Sequence, residues 1–192
     1  MKEIEITVKV FDSVEKTKDI LARQGLKIVD TYSTKDIYLS QDINLSQSIE
    51  SVLNKSVILR QIVTPSKVIK KIVHKNKVYD GDTLLYEDKI NLKCEDLENA
   101  KLLFEALDFK ELVIVQYDSF VYQKEGLELS FQNVKDLGLL LEIESDKKKL
   151  ESEEDVMQEK RRLYNLAKSL SLNIGDELNI KKAKALIEKR HH

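Results

Sequence analysis

Hydrophobic and polar residues alternate strictly along residues 3–10. Because successive side chains of a β-strand point to opposite faces, this alternation predicts a half-buried strand. Its apolar face carries Ile4, Ile6, Val8 and Val10. Its polar face carries Glu3, Glu5, Thr7 and Lys9. On its own, the pattern is typical of an antiparallel sheet that turns one face to a core and the other to water.

Similar patterns predict further strands at residues 26–31, 36–39, 56–63, 68–74, 84–92, 111–116, 119–123, 127–131 and 139–144. Residues 32–35 are expected to form a turn between the second and third strands. Helices are predicted at residues 12–24, 96–107, 152–170 and 180–190, and a short helix or loop at residues 46–53. The helix that starts at Asp96 is expected to bury Leu97, Ala100, Leu103, Phe104 and Leu107.

An internal repeat organises these elements. The order strand, helix, strand, turn, strand over residues 3–39 recurs over residues 87–123. Such a duplication predicts two similar halves related by a pseudo-twofold axis, with antiparallel strands closing into a barrel. We therefore expect an α+β protein: a closed antiparallel β-barrel with flanking helices.

Composition removes several classes of function. The net charge is −2, with 34% charged and 42% hydrophobic residues, so no overall field favours nucleic acid or a membrane surface. No apolar run reaches the length of a membrane span, and no signal peptide is evident. The single cysteine, Cys94, suits a reducing cytoplasm. With His191 and His192 read as a tag remnant, His74 is the only internal histidine, which argues against a histidine-rich zinc site or a Ser-His-Asp triad.

The polar strand faces carry both signs of charge. In a closed barrel one face of every strand points into the lumen, so these carboxylates and cations would meet inside. Charges are gathered in an interior only when they are paired or bound to an ion. Carboxylates that hold magnesium or manganese, opposite lysine and arginine, are typical of a triphosphate site.

The series of motifs resembles the CYTH family of triphosphate tunnel metalloenzymes, which includes class IV adenylate cyclases and thiamine or inorganic triphosphatases. The matching segments, in chain order, are Glu3-Ile4-Glu5-Ile6-Thr7, Asp36-Ile37-Tyr38, Leu59-Arg60-Gln61-Ile62, Lys75, Leu85-Tyr86-Glu87-Asp88-Lys89 and residues 137–144. The resemblance extends through about residue 170. It implies a single tunnel domain over residues 1–175, with a C-terminal helix over residues 176–190 packed on it.

The resemblance also implies roles for individual residues. Mg²⁺ or Mn²⁺ would be held by Glu3, Glu5, Glu142 and Glu144. Phosphate groups would be bound by Lys9, Arg60, Lys75 and Lys89. Catalytic roles would fall to Glu5, Lys75 and Glu87. The implied partner is a nucleoside or inorganic triphosphate, not nucleic acid or a membrane, and the chain alone leaves a homodimer open.

Several positions depart from the family pattern. Thr7 stands where the family carries lysine, and Ile62 replaces its second arginine. The acidic set is thus largely kept while the basic set is thinned, although Lys9 could replace the lysine absent at Thr7. Two functions remain open: a metal-dependent cyclase or triphosphatase, and a protein that binds a nucleotide or polyphosphate without turnover. An ordinary α+β protein with solvated charges is the third alternative.

Overall fold

Eight antiparallel strands form one sheet, and five helices accompany it in the computed structural model, which describes residues 4–43, 48–80, 83–147 and 152–191. The strands are β1 (Glu5–Lys9), β2 (Asp30–Ser40), β3 (Val57–Val63), β4 (Val68–Asp80), β5 (Thr83–Lys93), β6 (Lys110–Lys124), β7 (Leu127–Val134) and β8 (Gly138–Glu144). The helices are α1 (Val14–Arg23), α2 (Ile49–Asn54), α3 (Leu97–Ala106), α4 (Glu153–Lys168) and α5 (Lys182–His191). Within the described ranges, none of the helices is both long and apolar enough to cross a membrane.

The strand order confirms the duplication. Across the sheet it reads β1-β8-β7-β6-β2-β3-β4-β5. Exchanging each strand with the one four places along the chain reproduces this order from the other end, so the central β2–β6 pair lies on the pseudo-twofold axis. The halves are β1–β4 and β5–β8, and the first strand of each half pairs with the last strand of the other. Thus β1 pairs with β8, and β5 pairs with β4.

Two pairs of predicted strands are single long strands. Residues 32–35, expected to form a turn, lie inside β2 and pair with residues of both β3 and β6. Residues 111–116 and 119–123 likewise belong to the one strand β6. Neither Tyr32–Lys35 nor Tyr117–Asp118 contains the glycine or proline that would force a turn, and ladder hydrogen bonds on both sides keep each segment extended.

The barrel is not closed by hydrogen bonds, which corrects the expectation of a closed barrel. Among the described residues no ladder joins β1 to β5; instead the sheet is strongly curled. The outer edge of β1 is occupied by residues 173–180, because Leu178 accepts a hydrogen bond from the Thr7 amide at 2.8 Å and Ile180 donates one to the Thr7 carbonyl at 3.0 Å. Helix α4 contacts both edge strands and so spans the seam.

The main core lies on the outer face of the sheet rather than in its lumen. The apolar face of β1 packs there against α1 and α4, and Ile6 and Val8 are fully buried. Ser13 caps α1 by accepting a hydrogen bond from the Lys16 amide, and Gly25 ends it at a φ of 78°. Ser152 similarly caps α4 by accepting a hydrogen bond from the Asp155 amide. With apolar side chains outside, the polar face of β1 is left to line the lumen.

Helix α3 packs less closely than its pattern predicted. It is capped by Asp96, which accepts hydrogen bonds from the Glu98 and Asn99 amides. None of its residues is buried, and Leu103 and Leu107, expected on its buried face, are 60% and 53% exposed. This half of the outer face is covered by fewer elements than the other half.

Candidate functional site

Cross-strand register brings the polar side chains of β1 and β8 together. Glu5 lies opposite Glu144, and Thr7 lies opposite Glu142. Residues directly opposite each other in an antiparallel pair project to the same face, so these side chains share the lumen face. At the other end of the sheet, Lys75 on β4 lies directly opposite Lys89 on β5, so these two side chains also share one face.

The curl of the sheet brings its two ends near each other across the lumen. A small cavity of about 60 Å³ is lined by Glu5, Thr7, Tyr38, Leu53, Ile58, Lys75, Glu142 and residues 180–183. Glu142 on β8 also interacts electrostatically with Lys75 and Lys89, although these lie at the opposite end of the strand order. The acids at one end of the sheet thus meet the cations at the other end.

A lysine from α5 occupies the centre of this arrangement. The Lys182 ammonium donates a hydrogen bond to Glu142 Oε2 at 2.7 Å and another to Gln132 Oε1 at 2.5 Å. It also lies 5.0 Å from the centroid of the Tyr117 ring. Burial would raise the pKa of Glu142, but the positive charges of Lys182, Lys75 and Lys89 lower it to about 2. Glu142 is therefore a carboxylate at neutral pH.

On the lumen face of β2 and β3, two oppositely charged side chains form an ion pair. Arg60 donates to both carboxylate oxygens of Asp36, from Nε at 2.7 Å and from Nη2 at 2.5 Å. Asp36 is 2% exposed. Burial acts to lower the pKa of Arg60, but the Asp36 carboxylate outweighs this and raises it. The predicted phosphate-binding arginine is thus present in the lumen, oriented by a buried carboxylate.

Burial perturbs the other ionisable groups of the lumen. It lowers the pKa of Lys89, an effect that Glu142 and Glu144 oppose. It raises the pKa of Tyr38 and of Tyr117, so both phenols remain protonated at neutral pH. Several titratable groups with displaced pKa values in one enclosed place are typical of a functional site.

The remaining predicted residues divide into two groups. Lys9 does not line the small cavity; its ammonium donates to the Leu137 carbonyl and borders a separate cleft of about 650 Å³. Glu144 lies opposite Glu5 and therefore projects to the lumen face, but it is exposed. Glu3 and the side chain of Glu87 lie outside the described part of the chain. The roles assigned to all of these residues stay predictions.

Helix-borne cations were missed by the sequence analysis. Lys182 is one of several lysines on the C-terminal helix, a pattern typical of a solvated face, yet its side chain is only 18% exposed. Lys160 of α4 is 3% exposed, donates to Asn179 Oδ1 at 3.1 Å and interacts with Glu5. The only signal for Lys160 was its spacing: it lies four residues after Val156 and three before Leu163, on the buried stripe of α4.

The donor chemistry fits a hard divalent cation. Glu5 and Glu142 offer carboxylate oxygens, the ligands that Mg²⁺ and Mn²⁺ prefer. Glu142 already binds one cation, the Lys182 ammonium, so the position accommodates positive charge. Within the described residues no group of three or more His, Cys, Asp or Glu side chains is gathered for a metal, and Glu3, the next expected ligand, lies outside them.

Comparison with known proteins agrees with the fold. No protein-family model matches the chain. A Methanocaldococcus jannaschii protein, provisionally named an adenylate cyclase, is 27% identical over 183 residues, which cover 95% of this chain and 96% of that protein.

Two solved structures extend the comparison. A Pyrococcus horikoshii protein gives a TM-score of 0.74 at 17% identity, covering 98% of this chain and 99% of that one. A Hippeastrum protein, proposed as an adenylyl cyclase and described as having a dominant triphosphatase activity, gives a TM-score of 0.60 at 12% identity and covers 98% and 96%. Such low identities establish the fold alone. The Methanocaldococcus jannaschii relative, which is similar over nearly the whole chain, agrees with the resemblance inferred from the motif series.

Proposed function

Because the chain resembles the CYTH family of triphosphate tunnel metalloenzymes, we propose that it is an enzyme that acts on a triphosphate in the lumen of its curled sheet. The observation that carries the proposal is the convergence of Glu5 and Glu142 with Lys75 and Lys89, contributed by opposite ends of the sheet. The relative provisionally named an adenylate cyclase supports the same substrate class.

In this proposal the carboxylates hold Mg²⁺ or Mn²⁺ and the cations bind phosphate. Glu5 and Glu142 are the central ligands, with Glu3 and Glu144 as the further ligands that the resemblance implies. A divalent ion held there would neutralise charge on the phosphate oxygens. Lys75 and Lys89 face these acids, and Arg60 enters from β3 with its guanidinium oriented by Asp36.

The role of these residues would be to position the triphosphate and stabilise the charge that develops on it, since phosphoryl transfer needs little else from a protein. A cyclase would direct the ribose hydroxyl at the α-phosphate, and a triphosphatase would direct water at the γ-phosphate. Glu87 and Lys9 keep the catalytic and phosphate-binding roles that the resemblance gives them.

Admission of a triphosphate requires the start of α5 to move. The present cavity of about 60 Å³ accommodates on the order of two water molecules at about 30 Å³ each. Ile180 and Lys181 line both this cavity and the larger cleft beside Lys9, so the chain at the start of α5 separates the two spaces. Its displacement would release Glu142 from Lys182 and join the cavity to the cleft.

The test is a product assay with ATP and with tripolyphosphate, in the presence and absence of Mn²⁺. We expect metal-dependent release of pyrophosphate or phosphate, and a loss of about a hundredfold or more in Glu5→Gln and in Lys75→Met. Glu15→Gln, which alters an exposed acid on α1, outside the lumen, is the matched control and should retain full turnover. Undiminished turnover in Glu5→Gln would remove β1 from the site.

A second function, ligand binding without turnover, is favoured by two observations. Lys182 already neutralises Glu142. The strands also contribute fewer lumen cations than the family pattern has, since Thr7 and Ile62 stand at its lysine and arginine positions. Calorimetric titration with tripolyphosphate, beside the product assay, separates the two functions. Tight binding without any released product would support the binding protein, and slow metal-dependent release would support the enzyme.

A further inference from the structure

An exposed aromatic ring lines the larger cleft beside the small lumen cavity. Phe11, which follows β1, is 62% exposed, whereas the apolar Ile6 and Val8 of that strand are 0% exposed. The Phe11 side chain belongs to the cleft of about 650 Å³ that Lys9 also borders. Small-molecule sites in proteins typically measure about 300–1,000 Å³, so this cleft has the size of a ligand site.

The backbone around the ring is held on both sides. The Phe11 amide donates a hydrogen bond to the Asn173 carbonyl at 2.8 Å, and the Gly175 amide donates one to the Lys9 carbonyl at 2.8 Å. Gly175 lies beside the ring, since a Cβ added there would be 3.7 Å from Phe11 Cε2. The lack of a side chain at Gly175 keeps that space open. An aromatic ring on a fixed backbone, facing an open cleft, is suited to stacking against a planar ring.

The charges of this cleft differ from those of the small cavity. Among the described residues that line it, acids outnumber bases. They are Glu50, Asp176, Glu177 and Glu188, against Lys9, Lys181 and Lys184. Lys184 pairs with Glu50 at 3.2 Å, and the Lys9 ammonium donates to the Leu137 carbonyl. Carboxylates repel further phosphate groups but accept hydrogen bonds from N–H donors. The cleft therefore suits an uncharged ring better than it suits phosphate.

The lumen face of β1 connects the cleft with the small cavity. Glu5 and Thr7 line the cavity, whereas Lys9 and Phe11 border the cleft. At about 3.3 Å per extended residue, Phe11 lies roughly 13 Å along the chain from Thr7 and roughly 20 Å from Glu5. An extended nucleotide spans a distance of this order between its base and its last phosphate. Lys9 lies between the two ends, which agrees with the phosphate-binding role that the resemblance gives it.

We propose that the cleft beside Phe11 binds the base of a nucleoside triphosphate, which stacks on the Phe11 ring while its phosphates extend towards Glu5 and Glu142. The inference rests on the proposed function and narrows its substrate class from triphosphates in general to nucleoside triphosphates. An inorganic triphosphate would occupy the charged lumen and leave the aromatic side of the cleft without a ligand.

A fluorescence titration of Phe11→Trp tests the proposal without turnover. The chain contains no tryptophan, so this substitution places a single reporter at the stacking position. We expect ATP with Mg²⁺ to quench its emission saturably and several-fold more than tripolyphosphate with Mg²⁺, because only ATP carries a base. Leu102→Trp, also at a 62% exposed position but on α3 outside the cleft, is the matched control and should respond to neither ligand. Equal quenching of Phe11→Trp by both ligands, or none by ATP, would overturn the proposal.

Steady-state kinetics separate a failure of this inference from a failure of the proposed function. Phe11→Ala should raise the KM for ATP roughly tenfold, because it removes the base–aromatic stacking, and should leave the kinetics with tripolyphosphate unchanged. Phe11→Tyr keeps the ring and should retain the wild-type KM for both substrates. If Phe11→Ala turns over ATP like the wild type, the base subsite is refuted and the proposed function stands. If the wild type turns over neither substrate, the proposed function is refuted, and the fluorescence titration alone decides the base subsite.

Discussion

Replacing Lys182 with methionine removes the charge at the centre of the lumen while keeping much of the length of the side chain. The pKa of Glu142 lies at about 2 instead of 4.5, a displacement that corresponds to about 3 kcal/mol of net stabilisation of its charged form. Lys182 is the first contributor, and Lys75 and Lys89 supply the remainder. Because the Glu142 side chain is still 27% exposed, solvent screening reduces this figure. We expect Lys182→Met to lower the free energy of unfolding by about 2 kcal/mol.

For a chain of this size, about 2 kcal/mol corresponds to a fall in Tm of roughly 4–8 °C. Differential scanning calorimetry at pH 7 measures it. The matched control is Lys184→Met, since Lys184 is on the same helix and pairs with Glu50 at 3.2 Å, but both side chains are well exposed. The control should cost less than about 1 kcal/mol. Equal falls in Tm for the two variants would refute a special role for Lys182.

The loss of stability expected in Lys182→Met depends on pH in a defined way. The folded-state pKa of Glu142 is depressed, so its contribution is fully present above about pH 4.5 and is lost as the pH falls towards 2. The difference in unfolding free energy between wild type and Lys182→Met should therefore be constant from pH 5 to 8 and shrink below pH 4.5. A difference that grows on acidification would contradict the assignment of the stabilisation to Glu142.

Three further predictions concern residues around the site. Arg60→Lys should lower the free energy of unfolding by about 2 kcal/mol, because one ammonium cannot reproduce the two hydrogen bonds to the 2% exposed Asp36; chemical denaturation measures it. Glu159→Gln should lower the free energy of unfolding by about 2–3 kcal/mol at pH 7, because this 1% exposed carboxylate interacts with Ser145, Lys147 and Arg162. Since the pKa of Glu159 is lowered to about 2, this loss of stability should disappear as the pH falls from 4.5 towards 2. Gly138→Ala should cost about 1–2 kcal/mol in thermal unfolding, because Gly138 has a φ of 80° and an added Cβ would lie 2.9 Å from Lys9 Nζ; unchanged stability would show that the turn relaxes freely.

Much of the fold was predictable from local pattern. The alternation in β1 correctly separates the buried Ile6 and Val8 from the lumen-facing Glu5 and Thr7, because a period of two assigns each residue to a face. The repeat correctly predicted two matching halves. Local pattern could not show that residues 32–35 stay extended, since ladder bonds to two neighbouring strands decide that segment.

Long-range contacts account for what the sequence did not reveal about the site. Lys182 is separated from Glu142 by 40 positions, and no period links a helix near the end of the chain to a strand register. A run of lysines on a terminal helix is ordinarily a solvated face, which Lys184 and its exposed pair with Glu50 illustrate. The exposure of Leu103 was equally hidden, because the amphipathic pattern of α3 shows which side is apolar but not whether another element covers it.

The position of Lys182 bears on the lysine that the family carries at Thr7. Thr7 lies directly opposite Glu142, so a lysine there would be beside this carboxylate. The alternative source, Lys9, bonds instead to the Leu137 carbonyl and borders a different cleft. Lys182 from α5 thus supplies the cation next to Glu142 that β1 lacks. A lysine on β1 would be fixed in the sheet. In the opening proposed above, Lys182 would instead leave together with the start of α5, so the charge of the proposed site would change as the site opens.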